Sequence, residues 1–293
     1  MTTIEHVAAA EIASPVSTPP SSTPATAGAT VGSASNAGRT ALRVARKVVM
    51  GIVGVLWPVV FLYVVWALWI DIQQLPPAVA PHPNDVIEYI SQNPGSYFAD
   101  AVDTFRIVVG GVLLGAVAGV ALASLSWFSS FARAAISAPT LITQCLPVAT
   151  LVPVIARVFG YNERTVVIVA ALITFFPVLV FTSTGMRSTP AGTTDMFKVF
   201  GASRRRRFLL LAVPSSVPRL LVSLQLSVVV AVVGAMLAQW IMGANGLGYR
   251  LAVAQASFRT SEAWGASVVA IAVGVVLYTA ASSLARYARR RFD

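Results

Sequence analysis

Few residues of this chain have the types and spacing that catalysis requires. A nucleotide-hydrolysing loop reads Gly-x-x-x-x-Gly-Lys-Ser/Thr, but neither lysine, Lys47 or Lys198, follows a glycine. The triplets Gly201-Ala202-Ser203 and Gly265-Ala266-Ser267 lack the second glycine of a Gly-x-Ser-x-Gly nucleophile elbow. The two histidines match no metal-ligand spacing. The sequence therefore predicts neither an enzyme nor a metal site.

A second set of candidates consists of long amide side chains inside apolar runs: Gln144, Gln225 and Gln239. Gln225 and Gln239 are fourteen positions apart, about four helical turns, so they share roughly one helix face. They either form hydrogen bonds between helices or line a solute path. No Asp, Glu or Lys lies deep inside an apolar run, which argues against an ion-coupled carrier.

The composition indicates a membrane protein. The chain has 293 residues, of which 56% are hydrophobic and 11% charged, and its mean hydropathy is +0.76. A soluble domain is roughly 25% charged. Runs long enough to cross about 30 Å of hydrocarbon predict an all-α membrane protein with six transmembrane helices at 48–70, 104–125, 135–156, 165–186, 217–242 and 264–285.

The charges predict the orientation. Residues 1–38 are rich in Ala, Ser, Thr and Pro and are expected to be a disordered cytoplasmic tail, followed by a transmembrane domain at 39–293. With both termini in the cytoplasm, 16 of the 21 basic residues lie on the inside. This bias accounts for the net charge of +10, so we expect contact with membrane lipid and no nucleic-acid partner.

Two features concern the second predicted span and the loop before it. Gly111, Gly115 and Gly119 recur every four residues, which predicts a close approach of another helix. The segment Pro76–Asp103 is predicted to be the longest outer loop, with a short amphipathic helix over residues 83–91.

The most informative stretch is the inner loop from Thr194 to Pro214, with an acid at Asp195, a glycine at Gly201 and arginines at 204–207. It predicts a short helix, a glycine turn and a second, basic amphipathic helix at the membrane surface. The arginine run could instead serve only as a topology anchor beside anionic lipid.

The spacing of this loop resembles the E-A-A-x-x-x-G…I-x-L-P loop of ABC importer permeases. Asp195, Met196 and Phe197 occupy the leading triplet, of which only the acid is retained, and Leu211, Val213 and Pro214 occupy the closing positions. The resemblance implies a coupling helix that docks on a separate ATPase, carried by Asp195, Met196, Phe197, Gly201, Ala202, Ser203, Arg204 and Pro214.

Further blocks resemble the sulfonate/taurine/nitrate group of these permeases. They are Leu146 to Pro153 with Phe159-Gly160, then Gly243 to Tyr249, then Phe258-Arg259-Thr260. Gln239 is a departure, because the group usually has Glu there. The group carries sulfonates, nitrate, bicarbonate, and vitamin or pyrimidine precursors, and Phe175-Phe176-Pro177 is similar to the heterocycle-carrying members.

The resemblance implies the type I importer fold in a bacterial cytoplasmic (inner) membrane. The expected partners are a second copy of the permease, two ABC ATPase subunits and an extracytoplasmic solute-binding protein. ATP and Mg are expected on the ATPase, with no cofactor in this chain. An ion-coupled secondary transporter and a structural membrane protein are the alternatives.

Overall fold

The computed structural model describes residues 57–136, 147–189 and 192–292. The chain forms two compact units, Met1–Phe61 and Leu62–Asp293, and the contacts given below lie within the second. All regular structure in the described ranges is helical. The predicted tail at 1–38 and the start of the first predicted span lie outside the described residues.

The described residues form a series of helices. In chain order they are α1 (Trp57–Gln73), α2 (Pro83–Gln92), α3 (Pro94–Phe128), α4 (Val148–Phe159), α5 (Glu163–Gly185), α6 (Thr193–Val199), α7 (Arg204–Arg207), α8 (Val213–Met242), α9 (Leu247–Ala256) and α10 (Thr260–Phe292). A π-helical turn, Phe208–Ala212, joins α7 to α8. A further helical stretch covers residues 130–136.

Four helices of the described part are long and apolar enough to cross a membrane: α3, α5, the continuous Arg204–Met242 helix and α10. This confirms the all-α membrane class. The spans predicted at 165–186 and 264–285 correspond to α5 and α10. The single helix predicted at 135–156 is wrong, because Pro147 is extended, with ψ 126°, and only then does the 12-residue α4 begin.

The segment predicted as the longest outer loop, Pro76–Asp103, is largely helical. The short helix at 83–91 is confirmed as α2, where Pro83 lies in the first turn. The last ten residues of this segment, from Pro94 on, already belong to α3, which continues into the span predicted at 104–125. Proline is well suited to a first helical turn, since its fixed φ is helical and its missing N–H has no partner there anyway.

The basic segment at 204–207 is not a separate surface helix. It begins a helix of 39 residues that runs from Arg204 to Met242. The helix widens between Phe208 and Ala212, where the Val213 N–H donates to the Phe208 carbonyl five residues back. Pro214 follows directly and has no N–H for the carbonyl four residues before it, which explains a local departure from α-helical bonding at this place.

Helix α3 packs along α5 through its glycines, as the four-residue spacing predicts. A Cβ added at Gly115 would lie 2.8 Å from Thr174 Cβ and 3.0 Å from the Phe175 backbone nitrogen. At Gly119 the nearest atom would be Val178 Cγ1, at 2.9 Å. The two backbones therefore approach too closely for any side chain between them.

We expect Gly115→Ala to destabilise the protein by about 1–3 kcal/mol, because the added methyl meets backbone that cannot move aside. Gly110→Ala on the same helix is the matched control: its Cβ would lie 3.6 Å from Val167 Cγ1, an ordinary contact. Thermal unfolding midpoints in mild detergent measure both. Equal midpoints for the two variants would contradict the close approach of α3 and α5.

Candidate functional site

The 193–214 segment presents apolar side chains to solvent at one end of the helical bundle. Its first element, α6, has no buried residue. Met196, Val199 and Phe200 are 53%, 85% and 79% exposed. Large apolar side chains on a short helix beside a charged turn are typical of a surface that another protein covers.

Gly201 ends α6 in a Schellman motif. Its φ is +66°, a left-handed conformation that glycine adopts without a steric penalty. The Gly201 N–H donates to the Lys198 carbonyl and the Ala202 N–H donates to the Phe197 carbonyl, both at 2.9 Å. These two bonds define the motif and fix the direction in which the chain leaves the helix.

Asp195, the acid of the predicted leading triplet, pairs within its own helix. The Lys198 Nζ donates to Asp195 Oδ1 at 2.8 Å, and both side chains are exposed. This hydrogen bond, and then the lysine charge, hold the pKa of the Asp195 carboxyl below its usual value. The carboxylate is therefore ionised near neutral pH, and no atom of the described residues outside α6 binds it.

The remaining predicted coupling residues follow the glycine turn. Ser203 caps α7, since its Oγ accepts from the Arg206 N–H at 3.4 Å. Arg204 reaches back to the end of α3, where its Nη2 donates to the Trp127 carbonyl at 3.4 Å. Pro214 is exposed and lies beyond the π-helical turn, in the first turn of α8.

A buried polar network, the Gln239 network, lies where α3, α8 and α9 meet. Gln239 is fully buried. Its Oε1 accepts from the Gly248 N–H at 3.0 Å, and its Nε2 donates to the Asn245 carbonyl at 3.1 Å. Thr104 Oγ1 lies 3.2 Å from both amide atoms and accepts from the Leu247 N–H at 3.0 Å. Because these groups satisfy one another, three helices are joined at one point.

The side chain of Gln239 thus forms hydrogen bonds between helices, which is the first of the two roles predicted for the buried amides. Gln225 is half-buried on the same helix. Gln144 lies outside the described residues. A solute-lining role for these three residues stays a prediction.

The Arg250 cluster, a group of ion pairs near the Pro94 end of α3, was not predicted. The Arg250 guanidinium binds Asp100 of α3 and, at 3.0 Å, Glu262 of α10. Arg259 binds the other Glu262 oxygen at 2.6 Å. The Glu262 side chain is only 7% exposed, so the two cations compensate a carboxylate that is largely removed from solvent.

Two tyrosines complete the Arg250 cluster. The Arg250 guanidinium lies 4.5 Å from the Tyr97 ring centre, and the Tyr97 hydroxyl donates to the Glu262 carbonyl at 3.0 Å. The Tyr89 hydroxyl of α2 donates to Glu262 Oε2 at 3.1 Å. Burial, and then this bond to a carboxylate, raise the pKa of Tyr89 above its ordinary value. The cluster therefore joins α2, α3, α9 and α10.

Helix α9 ends in a second Schellman motif, but here a phenylalanine occupies the left-handed position. Phe258 has φ +56° and is 88% exposed. Its N–H donates to the Gln255 carbonyl at 3.1 Å, and the Arg259 N–H donates to the Ala254 carbonyl at 2.9 Å. A residue with a Cβ is strained in this conformation, where glycine is usual.

We expect Phe258→Gly to stabilise the protein by about 0.5–1 kcal/mol. Glycine removes the strain of the left-handed conformation, and the greater conformational entropy of glycine in the unfolded chain offsets part of this gain. Phe258→Ala removes the same ring but keeps the Cβ, so its thermal midpoint in detergent should match that of the wild type. Equal midpoints for the Gly and Ala variants would show that the left-handed conformation costs nothing.

A cavity of about 340 Å³ lies between α4, α5 and α8. Among the described residues its lining is apolar and includes two aromatic rings, Phe176 and Phe181, beside Pro177. The other lining residues are aliphatic: Val148, Leu151, Ile155, Val169, Leu172, Ile173, Val180 and Val230. No group of three metal-ligating side chains occurs in the described ranges.

Comparison with known proteins gives consistent matches. Residues 111–293 match the family described as binding-protein-dependent transport system inner membrane component. The formylaminopyrimidine transport permease protein ThiX of Halalkalibacterium halodurans is 31% identical over 195 residues, 66% of this chain and 78% of the relative. The putative aliphatic sulfonates transport permease protein SsuC of Bacillus subtilis is 24% identical over 173 residues, 59% of this chain and 62% of the relative.

Solved structures show the same fold. An inward-facing structure of the MetNI methionine ABC transporter superposes with a TM-score of 0.58 at 14% identity, covering 65% of this chain and 94% of the other. At this level of identity the match establishes the architecture, which is that of a type I ABC importer permease.

Proposed function

This chain belongs to the family of inner membrane components of binding-protein-dependent transport systems, and we propose that it imports a small heterocyclic solute of the pyrimidine type. It is an ABC importer permease, a transport subunit rather than an enzyme. Permeases of this type form dimers and work with ATPase and binding-protein partners. We expect two copies of this chain, two ATPases that bind ATP and Mg, and one extracytoplasmic binding protein.

The apolar cavity between α4, α5 and α8 is the observation that supports a heterocycle. Its volume lies within the usual range of about 300–1,000 Å³ for small-molecule sites. Phe176 and Phe181 offer ring faces on which a flat heterocycle can stack. A sulfonate or nitrate would lose its hydration there, and no cation among the described lining residues would compensate its charge.

The relative with higher identity points the same way. The permease named for formylaminopyrimidine is 31% identical to this chain, and the one named for aliphatic sulfonates is 24% identical. The sulfonate class remains the second candidate, because the blocks at 146–153 and 243–249 resemble that group.

The exposed face of α6 supports coupling to an ATPase. Met196 and Val199 of α6 and Phe200 at its end are exposed, and an apolar anchor of this kind is stabilised when it enters a groove of a partner. Nucleotide-driven closure of two ATPases would bring the two α6 helices together and shift the permease between inward-open and outward-open arrangements. We expect α6 and both termini to lie in the cytoplasm, because 16 of the 21 basic residues fall on the inner side in that orientation.

Affinity purification of the tagged chain from native membranes in mild detergent tests the proposal. We expect a P-loop ATPase in equal amount, together with a binding protein. That binding protein should gain thermal stability with formylaminopyrimidine and not with taurine or nitrate. Stabilisation by taurine alone would replace the heterocycle with the sulfonate class. Recovery of the chain without any ATPase would contradict the coupling role of α6.

A further inference from the structure

An aromatic cluster connects the end of α3 to the 193–214 segment. Trp127 and Phe128 close α3, and the ring of Phe208 lies against both, with centre-to-centre distances of 5.2 and 4.7 Å. Trp127 and Phe208 also pack against four buried residues, Ala123, Leu179, Met186 and Ala212. The end of α3 and the beginning of the Arg204–Met242 helix are thus in direct contact.

Arg204 adds a directional contact to this cluster. Its guanidinium carbon lies 5.8 Å from the centre of the Trp127 ring and 5.9 Å from that of Phe128. Its Nη2 donates to the Trp127 carbonyl. This carbonyl lies in the last turn of α3, where backbone oxygens have no intrahelical donor and the helix end attracts a cation.

The neighbouring arginine makes no such contact. Arg205 is exposed, and within the described residues its side chain shows no hydrogen bond, ion pair or ring contact. Arg204 and Arg205 carry the same charge at nearly the same depth. A topology anchor needs only that charge, so it would treat the two residues alike. The contacts with Trp127 and Phe128 distinguish them.

We propose that Arg204 is a positioning residue, which fastens the 193–214 segment to the end of α3 so that a movement of α6 is passed into the membrane. The proposal rests on the coupling role of α6. Helix α3 is suited to receive such a movement, because it lies against α5 along its glycines and contacts α8 and α9 through the Gln239 network at its other end.

The test uses the complete complex of permease, ATPase and binding protein in liposomes. Solute transported per ATP hydrolysed is measured for the wild type, Arg204→Ala and Arg205→Ala. We expect a fall of about tenfold for Arg204→Ala, since two cation–π contacts and a hydrogen bond are lost. ATP hydrolysis should continue, and the Arg205→Ala complex should transport as the wild type does.

Several outcomes would overturn the proposal. Equal losses in the Arg204 and Arg205 variants would reduce both residues to topology anchors. Loss of the ATPase from the purified Arg204→Ala complex would make Arg204 a docking residue. If Arg204→Ala does not accumulate in the membrane, Trp127→Leu removes the aromatic partner of Arg204 instead and should give the same fall. Unchanged transport per ATP in Trp127→Leu would then show that the contact between Arg204 and Trp127 has no role in coupling. Absence of an ATPase from the wild-type complex would instead refute the proposed function.

Discussion

Uptake should fall about a hundredfold in Gly201→Pro, while the chain still inserts in the membrane. Proline is fixed near φ −65° and cannot adopt the +66° of this position, and it also removes the N–H that bonds the Lys198 carbonyl. The proline destabilises the conformation that exposes α6 by about 3 kcal/mol. The fraction of molecules in that conformation, which is the one able to couple to the ATPase, falls by roughly two powers of ten. Uptake of the labelled solute in cells, normalised to permease in the membrane, measures the effect.

Gly201→Ala is the graded control for this experiment. Alanine keeps the N–H and meets only the left-handed penalty of about 1–2 kcal/mol, so uptake should fall several-fold to about thirtyfold. No neighbouring atom lies within 4 Å of the added Cβ, so the effect is purely conformational. Wild-type uptake in the proline variant would show that the direction of the chain after α6 does not matter for coupling.

Thr104→Val should lower the free energy of unfolding by about 2–6 kcal/mol, although the two side chains have nearly the same shape. The Thr104 hydroxyl accepts from Leu247 and bonds the Gln239 amide, and both groups are buried. Without it the Leu247 N–H has no acceptor and Gln239 has one partner fewer, at about 1–3 kcal/mol for each unsatisfied group.

Thr104→Ser separates this loss from a loss of volume. Serine keeps the hydroxyl and removes one methyl group, so we expect a cost of only about 1 kcal/mol. Thermal midpoints of the three proteins in the same detergent should rank wild type, serine, valine. A valine variant as stable as the serine variant would show that the hydroxyl is not needed to join α3, α8 and α9.

Long apolar runs and helix-ending residues were well predicted from sequence, because both are local properties. The runs at 165–186 and 264–285 correspond to α5 and α10, the glycine spacing of α3 marks its contact with α5, and Gly201 has the turn conformation its position indicates. The break at Pro147 and the early start of α3 at Pro94 were missed, since proline both interrupts and begins helices.

The polar clusters were not predictable in the same way. Asp100 and Arg250 are 150 positions apart, and Thr104 and Gln239 are 135 apart, so no local pattern pairs them. The sequence does contain one indication of these ion pairs. The segments expected outside the membrane hold both acids and arginines, and opposite charges at a membrane surface commonly form ion pairs.

The length of α3 has a consequence for where a partner meets this protein. Its 35 residues span about 52 Å, whereas the hydrocarbon layer is about 30 Å thick. The uninterrupted apolar part, Ile107 to Leu125, is long enough for that layer, so the 13 residues from Pro94 to Arg106, with Asp100 and Asp103, continue about 20 Å beyond it. A tilt of α3 in the membrane would shorten this projecting segment, but α5 packs along the apolar part of α3 and limits the tilt. A protein approaching from that side therefore reaches a rigid platform of ion pairs before it reaches lipid.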